Sequence, residues 1–281
     1  MINSKTANTI PVSAVFFDID GTLLDFETHS LSASTVSAIR ELKSRGLKVA
    51  VATSRPWRTM AEIPGLLDLD LDGYVTASGG LVYDGNQKLI YDASFSIPQL
   101  RQITSLAVQN DIPLYMAGDD ILITASTPLI PAFLEKYHIS IDGVRPWNGE
   151  HTPLVTTITE DTDNAIRVFS QIPGLLLVKG GPVNVDMRPD GLDKPEGIHR
   201  LMEHWNLPVQ SYLAFGDTQI DAGMLRDARI SAAMPWADQD ARAAADFILK
   251  DHRENSLSEW LKSQGFITGE VKDSNREKTG N

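Results

Sequence analysis

The chain has 281 residues, 42% of them hydrophobic and 22% charged, the composition of a globular protein with a substantial core. A formal net charge of −12 argues against a nucleic-acid backbone or an anionic membrane as the main partner, though it leaves room for a local basic pocket. Cysteine is absent, which removes disulfides, thiolate metal sites and thiol nucleophiles. No apolar run approaches the ~18–20 residues that span a bilayer, and residues 1–10 lack the apolar stretch of a signal peptide, so a cytoplasmic location is expected.

In chain order, Val12–Phe17 is a nearly continuous apolar run, as in a strand buried on both faces of a parallel sheet. Val36, Ile39 and Leu42 recur at helical spacing and Gly46 closes that element. Leu47–Ala52 and Tyr74–Ala77 read as the next two strands, so the segment has the form of a βαβ unit. The middle of the chain is of another kind. Asp84-Gly85-Asn86 between apolar flanks signals a hairpin over residues 82–91. Helices are expected near 100–108, 129–137 and 165–169, with strands near 113–116, 121–124, 155–159, 175–178 and 183–187. The alternating pattern then returns. Ile198, Leu201, Met202 and Trp205 mark a helix behind Pro195, and strands are expected at 212–215, 230–234 and 247–249. This organisation is a split α/β core, residues 1–83 and 189–270, with an α+β domain inserted at 84–188. The polar end, 271–281, has the composition of a disordered tail.

The residues with chemical potential sit where strands run out. Asp18-Ile19-Asp20-Gly21-Thr22 follows the first strand, and ligands of open parallel sheets bind at the carboxyl ends of strands. Asp18 and Asp20, two residues apart on an extended segment, project to one side and repel each other unless a cation or a proton intervenes. Asp217 follows a later strand, with Asp221 four residues on. Such an oxygen-rich set suits Mg²⁺, although solvated acidic turns and helix N-termini also favour acids. Thr53 ends the second strand. Lys194 stands at a helix start, against the dipole preference, either for an anion or as a solvated side chain. The six histidines form no metal signature, and no nucleotide P-loop or dinucleotide fingerprint occurs. Arg145, Trp147 and His151 fall in a Pro/Gly-flanked loop of the inserted block, where either substrate contact or loop structure would employ them.

Asp18-Ile-Asp-Gly-Thr, Thr53 in Ala-Thr-Ser-Arg-Pro, Lys194 and Gly216-Asp217-x-x-x-Asp221 resemble the four ordered motifs of the haloacid dehalogenase superfamily. The inserted block resembles the type IIB cap of its Cof-like sugar-phosphate phosphatases. The resemblance implies a doubly wound, Rossmann-like α/β parallel-sheet core with an inserted α+β cap. It implies a Mg²⁺-dependent phosphatase in which Asp18 forms an aspartyl-phosphate and Asp20 serves as general acid and base. Thr53, Ser54, Arg55 and Lys194 would hold the phosphoryl oxygens, and Asp18, the Asp20 backbone carbonyl, Asp217 and Asp221 would hold the metal. The implied partner is a small phosphorylated metabolite, a sugar phosphate or a cofactor phosphate such as pyridoxal phosphate. A phosphohexomutase and a non-catalytic phosphometabolite-binding protein are the alternatives. The chain departs from the usual Cof-like pattern at Ile220, at Ser78-Gly79-Gly80, at Met234-Pro235-Trp236 and at Ser54.

Overall fold

A computed structural model describes residues 11–25 and 28–269. The expected tail at 271–281 and the polar start at 1–10 lie outside the described residues. The chain resolves into two compact units. The described residues of the first fall within 1–51, 64–72 and 210–281, and those of the second within 52–63 and 73–209. The second unit therefore includes, besides the whole 84–188 block, the stretches 52–63, 73–83 and 189–209.

The first unit is a parallel sheet with helical connections. Strand β1 (Ala14–Phe17) is followed by helix α1 (Ala33–Ser44) and strand β2 (Lys48–Ala52). Late in the chain come β12 (Tyr212–Gly216), α7 (Ala222–Asp227), β13 (Ile230–Ala233), α8 (Gln239–Ala244), β14 (Phe247–Ile248) and α9 (Ser256–Ser263). The strands lie in the order β14-β13-β12-β1-β2, all parallel. Every residue of β1 and β12 is buried, as befits central strands covered on both faces. Register partners Phe17 and Phe215 stack with centroids 5.1 Å apart, and Phe16 meets Tyr212 edge-on at 5.3 Å. Helix α1 starts on a Ser32 side chain that accepts from Thr35 N at 3.1 Å, and it buries Ala38, Ile39 and Leu42.

This order has a functional consequence. From β1 the chain moves to β2 on one side, whereas from β12 it moves to β13 and β14 on the other. The strand order therefore reverses between β1 and β12, and the crevice outside the carboxyl ends at such a reversal is where doubly wound sheets bind ligands.

In the second unit, α2 (Trp57–Ala61) leads to an antiparallel meander of β3 (Gly73–Thr76), β4 (Leu81–Asp84) and β5 (Leu89–Asp92). Next come α3 (Ile97–Gln109), β6 (Leu114–Ala117), β7 (Ile121–Ile123), α4 (Ile130–Lys136) and β8 (Gly143–Val144). Then follow β9 (Leu154–Ile158), α5 (Thr162–Phe169), β10 (Leu175–Gly181), β11 (Asn184–Pro189) and α6 (Lys194–His204). The cap sheet runs β10-β11-β9-β6-β7-β8, antiparallel except for β7 with β8. Strand alternation gives it two faces. Leu114, Met116, Val155, Val185 and Met187 pack against Leu100 and Ile103 of α3 and Val168 and Phe169 of α5. On the other face Tyr115, Ala117, Ile121, Ile123, Leu154 and Ile158 cluster with Ile130 and Phe133 of α4. No helix among the described residues is long and apolar enough to cross a membrane.

Candidate active site

In the first unit, Asp18 and Asp217 emerge side by side at the reversal point. The Asp18 amide donates to Phe215 O at 2.9 Å, prolonging the β1–β12 ladder by one step. Asp18, Asp217 and Asp221 are all buried, and each places a carboxylate oxygen within 4.8 Å of the others. Asp221 belongs to a 3-10 turn, Gln219–Asp221, not to a regular helix. Its Oδ2 accepts from the amides of Asp217 and Thr218, each at 3.0 Å. Gly216 makes that fold-back possible, because a Cβ there would stand 2.5 Å from Asp221 Cβ.

The loop after Asp18 is a tight turn. Amides of Thr22, Leu23 and Leu24 all donate to Ile19 O, at 3.2, 3.0 and 2.8 Å, and Gly21 takes φ +83°. This turn places the Asp20 carboxylate outside the group formed by the other three acids. Thr22 Oγ1 donates to Asp217 Oδ1 at 3.1 Å, a contact across 195 residues of sequence. The indole of Trp236 donates to Gly21 O at 2.7 Å, so the residue that departs from the family pattern here fastens the turn. Asp238 braces the opposite loop: its amide donates to Asp217 O at 2.9 Å and its Oδ2 accepts from Gln219 N at 2.6 Å.

In the second unit, Thr53, Ser54 and Arg55 form a turn whose geometry is set by backbone bonds. Thr53 N donates to Val75 O at 2.8 Å, Ser78 N to Thr53 O at 3.0 Å, and Ala77 N to Arg55 O at 2.8 Å. Thr53 is fully buried, and its hydroxyl oxygen accepts from Arg55 N at 3.1 Å. Facing this turn, Ala77, Ser78 and Gly79 take φ of +50°, +55° and +99°. Two successive non-glycine residues in the left-handed region cost of the order of 1–2 kcal/mol each, which the surrounding bonds must hold in place. A side chain at Gly79 would collide with the carbonyl oxygen of Asp193, and one at Gly197 would come 2.5 Å from Val75 Cγ1. These bare glycines let the start of α6 press against the 77–79 turn. Lys194, the first residue of that helix, is thereby only 1% exposed, which excludes the solvated side chain considered from sequence.

The loop residues singled out from sequence are occupied within the cap. Arg145 pairs with Asp120 and Glu150, and Trp147 Nε1 donates to Glu150 O at 2.9 Å while its ring packs on the α3–α5 core. His151 bonds Asp92 at 3.0 Å and Ser94 at 2.8 Å. Thr22 and Trp236 stood in the motifs read from sequence, but their contacts to Asp217 and Gly21 did not show there. Asp238 is the functional-site neighbour that sequence reasoning missed, although it left a local signal as the N-cap of α8.

A family model for haloacid dehalogenase-like hydrolases matches residues 15–261, and the chain belongs to that family. Its enzyme class is that of a phosphoric monoester hydrolase. Among solved structures it is similar to the subclass IIB sugar phosphatase BT4131, with a TM-score of 0.81 and 27% identity over 91% of this chain and 100% of that one. The HMP-PP phosphatase of Escherichia fergusonii is 27% identical over 218 residues, 74% of this chain and 79% of its own. A Streptococcus pyogenes protein named for phosphatase and peptidyl-prolyl cis-trans isomerase activities is 25% identical over 262 residues, 92% of this chain. The chain spans 55% of that relative's length.

Proposed function

We propose that the protein hydrolyses a phosphate monoester of a small metabolite through a phosphoryl intermediate on Asp18. The observation that carries this is the convergence of three buried carboxylates, Asp18, Asp217 and Asp221, at the sheet's reversal point. Buried like charges at this separation are unfavourable without a cation. The donors are all hard oxygens, with neither sulfur nor imidazole among them, so the set fits Mg²⁺. Asp18, Asp217, Asp221 and the backbone carbonyl of Asp20 would hold it. When bound, Mg²⁺ neutralises charge on the phosphoryl oxygens and on the attacking carboxylate.

The remaining chemistry belongs to the chain. Thr53, Ser54, Arg55 and Lys194 bind the phosphoryl oxygens, with positioning and charge stabilisation supplying most of the rate. An Asp18 oxygen attacks phosphorus and the bond to the substrate oxygen breaks. That oxygen leaves with a proton from Asp20. Asp20, now a carboxylate, takes a proton from water, whose oxygen attacks phosphorus and releases Asp18 and inorganic phosphate.

The test is phosphate release from a panel of sugar phosphates, pyridoxal phosphate, flavin mononucleotide and an activated aryl phosphate, with Mg²⁺ and with EDTA. Release that requires Mg²⁺ and disappears in Asp18→Asn supports the proposal. Release that is indifferent to both would overturn it.

A further inference from the structure

The α3 side of the cap sheet carries more strand than its helices cover. Six strands spaced about 4.8 Å apart share that side with two helices, and helices pack about 8–10 Å apart. Helix α5 lies against β10, β11 and α3, while Leu100, Ile103 and Ala107 of α3 join a cluster with Leu114 and Met116 of β6 and Val155 of β9. The cluster takes in Leu122 of β7 but no third helix. Beside α3, between its outer surface, the segment after β7 and the loop 146–149, there is a cleft of about 890 Å³. Small-molecule sites typically occupy ~300–1,000 Å³. Its lining falls within residues 101–149 of the second unit, and none of Thr53, Ser54, Arg55 and Lys194 takes part.

One face of α3 lines the cleft. Arg101, Thr104, Ser105, Val108 and Gln109 recur there at i, i+3, i+4, i+7 and i+8. Val108 is 77% exposed, an aliphatic side chain with no core to join. The loop adds Pro146 and Trp147, and the indole is held in place by its packing on the cluster and by the bond from Nε1 to Glu150 O at 2.9 Å. Beyond β7, the hydroxyl oxygen of Thr127 is buried and has no hydrogen-bond partner among the described residues. Such atoms are rare because burial without a bond is costly, and a ligand bond would satisfy this one. The hydroxyl of Thr104 donates to Leu100 O at 2.8 Å and Gln109 Nε2 donates to Ser105 Oγ at 3.2 Å, and each of these groups keeps capacity for a further bond.

This lining restricts the ligand. Arg101 and Asp111 are its only charged residues, exposed and opposite in sign, so the cleft is neutral although the chain carries a net charge of −12. A charged ligand would lose water there without a matched partner. An alkyl chain would leave Thr127 unmet, and a polyhydroxyl chain would leave Val108, Pro146 and Trp147 unused. A flat ring answers both needs, its faces against the apolar groups and its edge nitrogens and oxygens against hydroxyls and amides.

We propose that this cleft is a second ligand site, for a flat, uncharged heterocycle of one or two rings with hydrogen-bonding edges. The proposal goes beyond the hydrolase proposal and does not rest on it, since no residue of the cleft enters the reaction. The test titrates the full chain calorimetrically with uridine, adenosine and caffeine, and with indole-3-acetate and tryptamine as rings of opposite charge. At least one of the three neutral rings should bind with a Kd below about 1 mM, more tightly than either charged ring. Val108→Glu, which sets a carboxylate in the cleft, should weaken that binding at least about 10-fold. Thr127→Val should weaken it about 3- to 10-fold, the loss of one hydrogen bond. Both variants should keep the wild-type thermal midpoint, because Val108 is exposed and the Thr127 hydroxyl is unmet. If Val108→Glu lowers the midpoint, Thr127→Val decides alone. Binding of no neutral ring overturns the proposal, and tighter binding of a charged ring overturns the neutral assignment. Binding that neither variant weakens, or that inorganic phosphate with Mg²⁺ abolishes, places the ring at the hydrolytic site and overturns the cleft.

Discussion

The indole N–H of Trp236 donates to the carbonyl oxygen of Gly21 at 2.7 Å, joining residues 215 apart in sequence. That carbonyl belongs to the turn immediately after Asp20, so the bond fixes where the proposed acid and base sits. Trp236 itself is 42% exposed and contributes little burial. Trp236→Phe should therefore cost under about 1 kcal/mol of stability, the worth of one hydrogen bond near solvent. It should lower kcat by about tenfold through misplacement of the turn. Urea unfolding and steady-state kinetics on the same preparation check both halves. A variant with full kcat would free Asp20 from this tether.

Gly216 carries a comparable burden on the other side of the acidic group. A methyl there would press on Asp221 Cβ at 2.5 Å and Cγ at 2.7 Å, and flanking backbone cannot yield easily. Gly216→Ala should cost about 1–3 kcal/mol by overpacking. It should also weaken Mg²⁺ activation by about tenfold, as the Asp221 carboxylate is pushed off the amides of Asp217 and Thr218. A Mg²⁺ titration of phosphate release, with circular dichroism to confirm folding, tests this. An unchanged activation constant would show that Asp221 serves the loop and not the metal.

Much of this architecture was legible because burial leaves a compositional mark. The run at Val12–Phe17 contains β1, and the strand expected at 212–215 is β12, both apolar on every residue since both sheet faces are covered. The hairpin signal at Asp84-Gly85-Asn86 corresponds to the antiparallel β4–β5 pair. Short helices left no such mark. Helix α2 has five residues, and α7 and α8 have six each, fewer than two turns, too few for a 3.6-residue period to be seen. Helix α9 does bury Leu257 and Leu261 at i, i+4, but eight residues offered a single repeat.

For the site, the legible part was the part that lies in contiguous motifs. Asp18, Asp20, Asp217 and Asp221 advertise themselves as carboxylates at strand ends. Thr22 and Trp236 act through contacts spanning 195 and 215 residues, and no local pattern encodes such a partner.

Asp18→Asn separates charge from chemistry. With three buried carboxylates within 4.8 Å, replacing one by an amide relieves repulsion whenever no cation is bound. The variant should melt at a higher temperature than wild type in EDTA, yet lose at least about 10³-fold in turnover if Asp18 is the nucleophile. Mg²⁺ should raise the wild-type midpoint by mass action and the variant's much less. Scanning calorimetry with and without Mg²⁺ reads this independently of activity. Equal Mg²⁺ shifts in both proteins would remove Asp18 from the metal site.

Stability should also depend on pH through Glu41, far from the acidic group. Burial raises the pKa of this carboxyl, but bonds from Thr268, Arg45 and Gly269 outweigh it and hold the group at about 2, against an ordinary 4.5. Its oxygens accept from Thr268 N at 2.6 Å, Thr268 Oγ1 at 2.8 Å, Gly269 N at 3.0 Å and Arg45 Nη2 at 2.7 Å, anchoring residues 268–269 to α1. Because the folded pKa is the lower, the contribution is complete above the unfolded value and is lost as pH falls through the folded one. Glu41→Gln should therefore cost about 1–2 kcal/mol at pH 7, as charge-assisted bonds are weakened. The gap to wild type should begin to close below about pH 4.5 and vanish near pH 2. Urea midpoints at pH 7, 5, 4 and 3 trace it. A gap that stays constant over that range would mean the anchor holds by shape and not by charge.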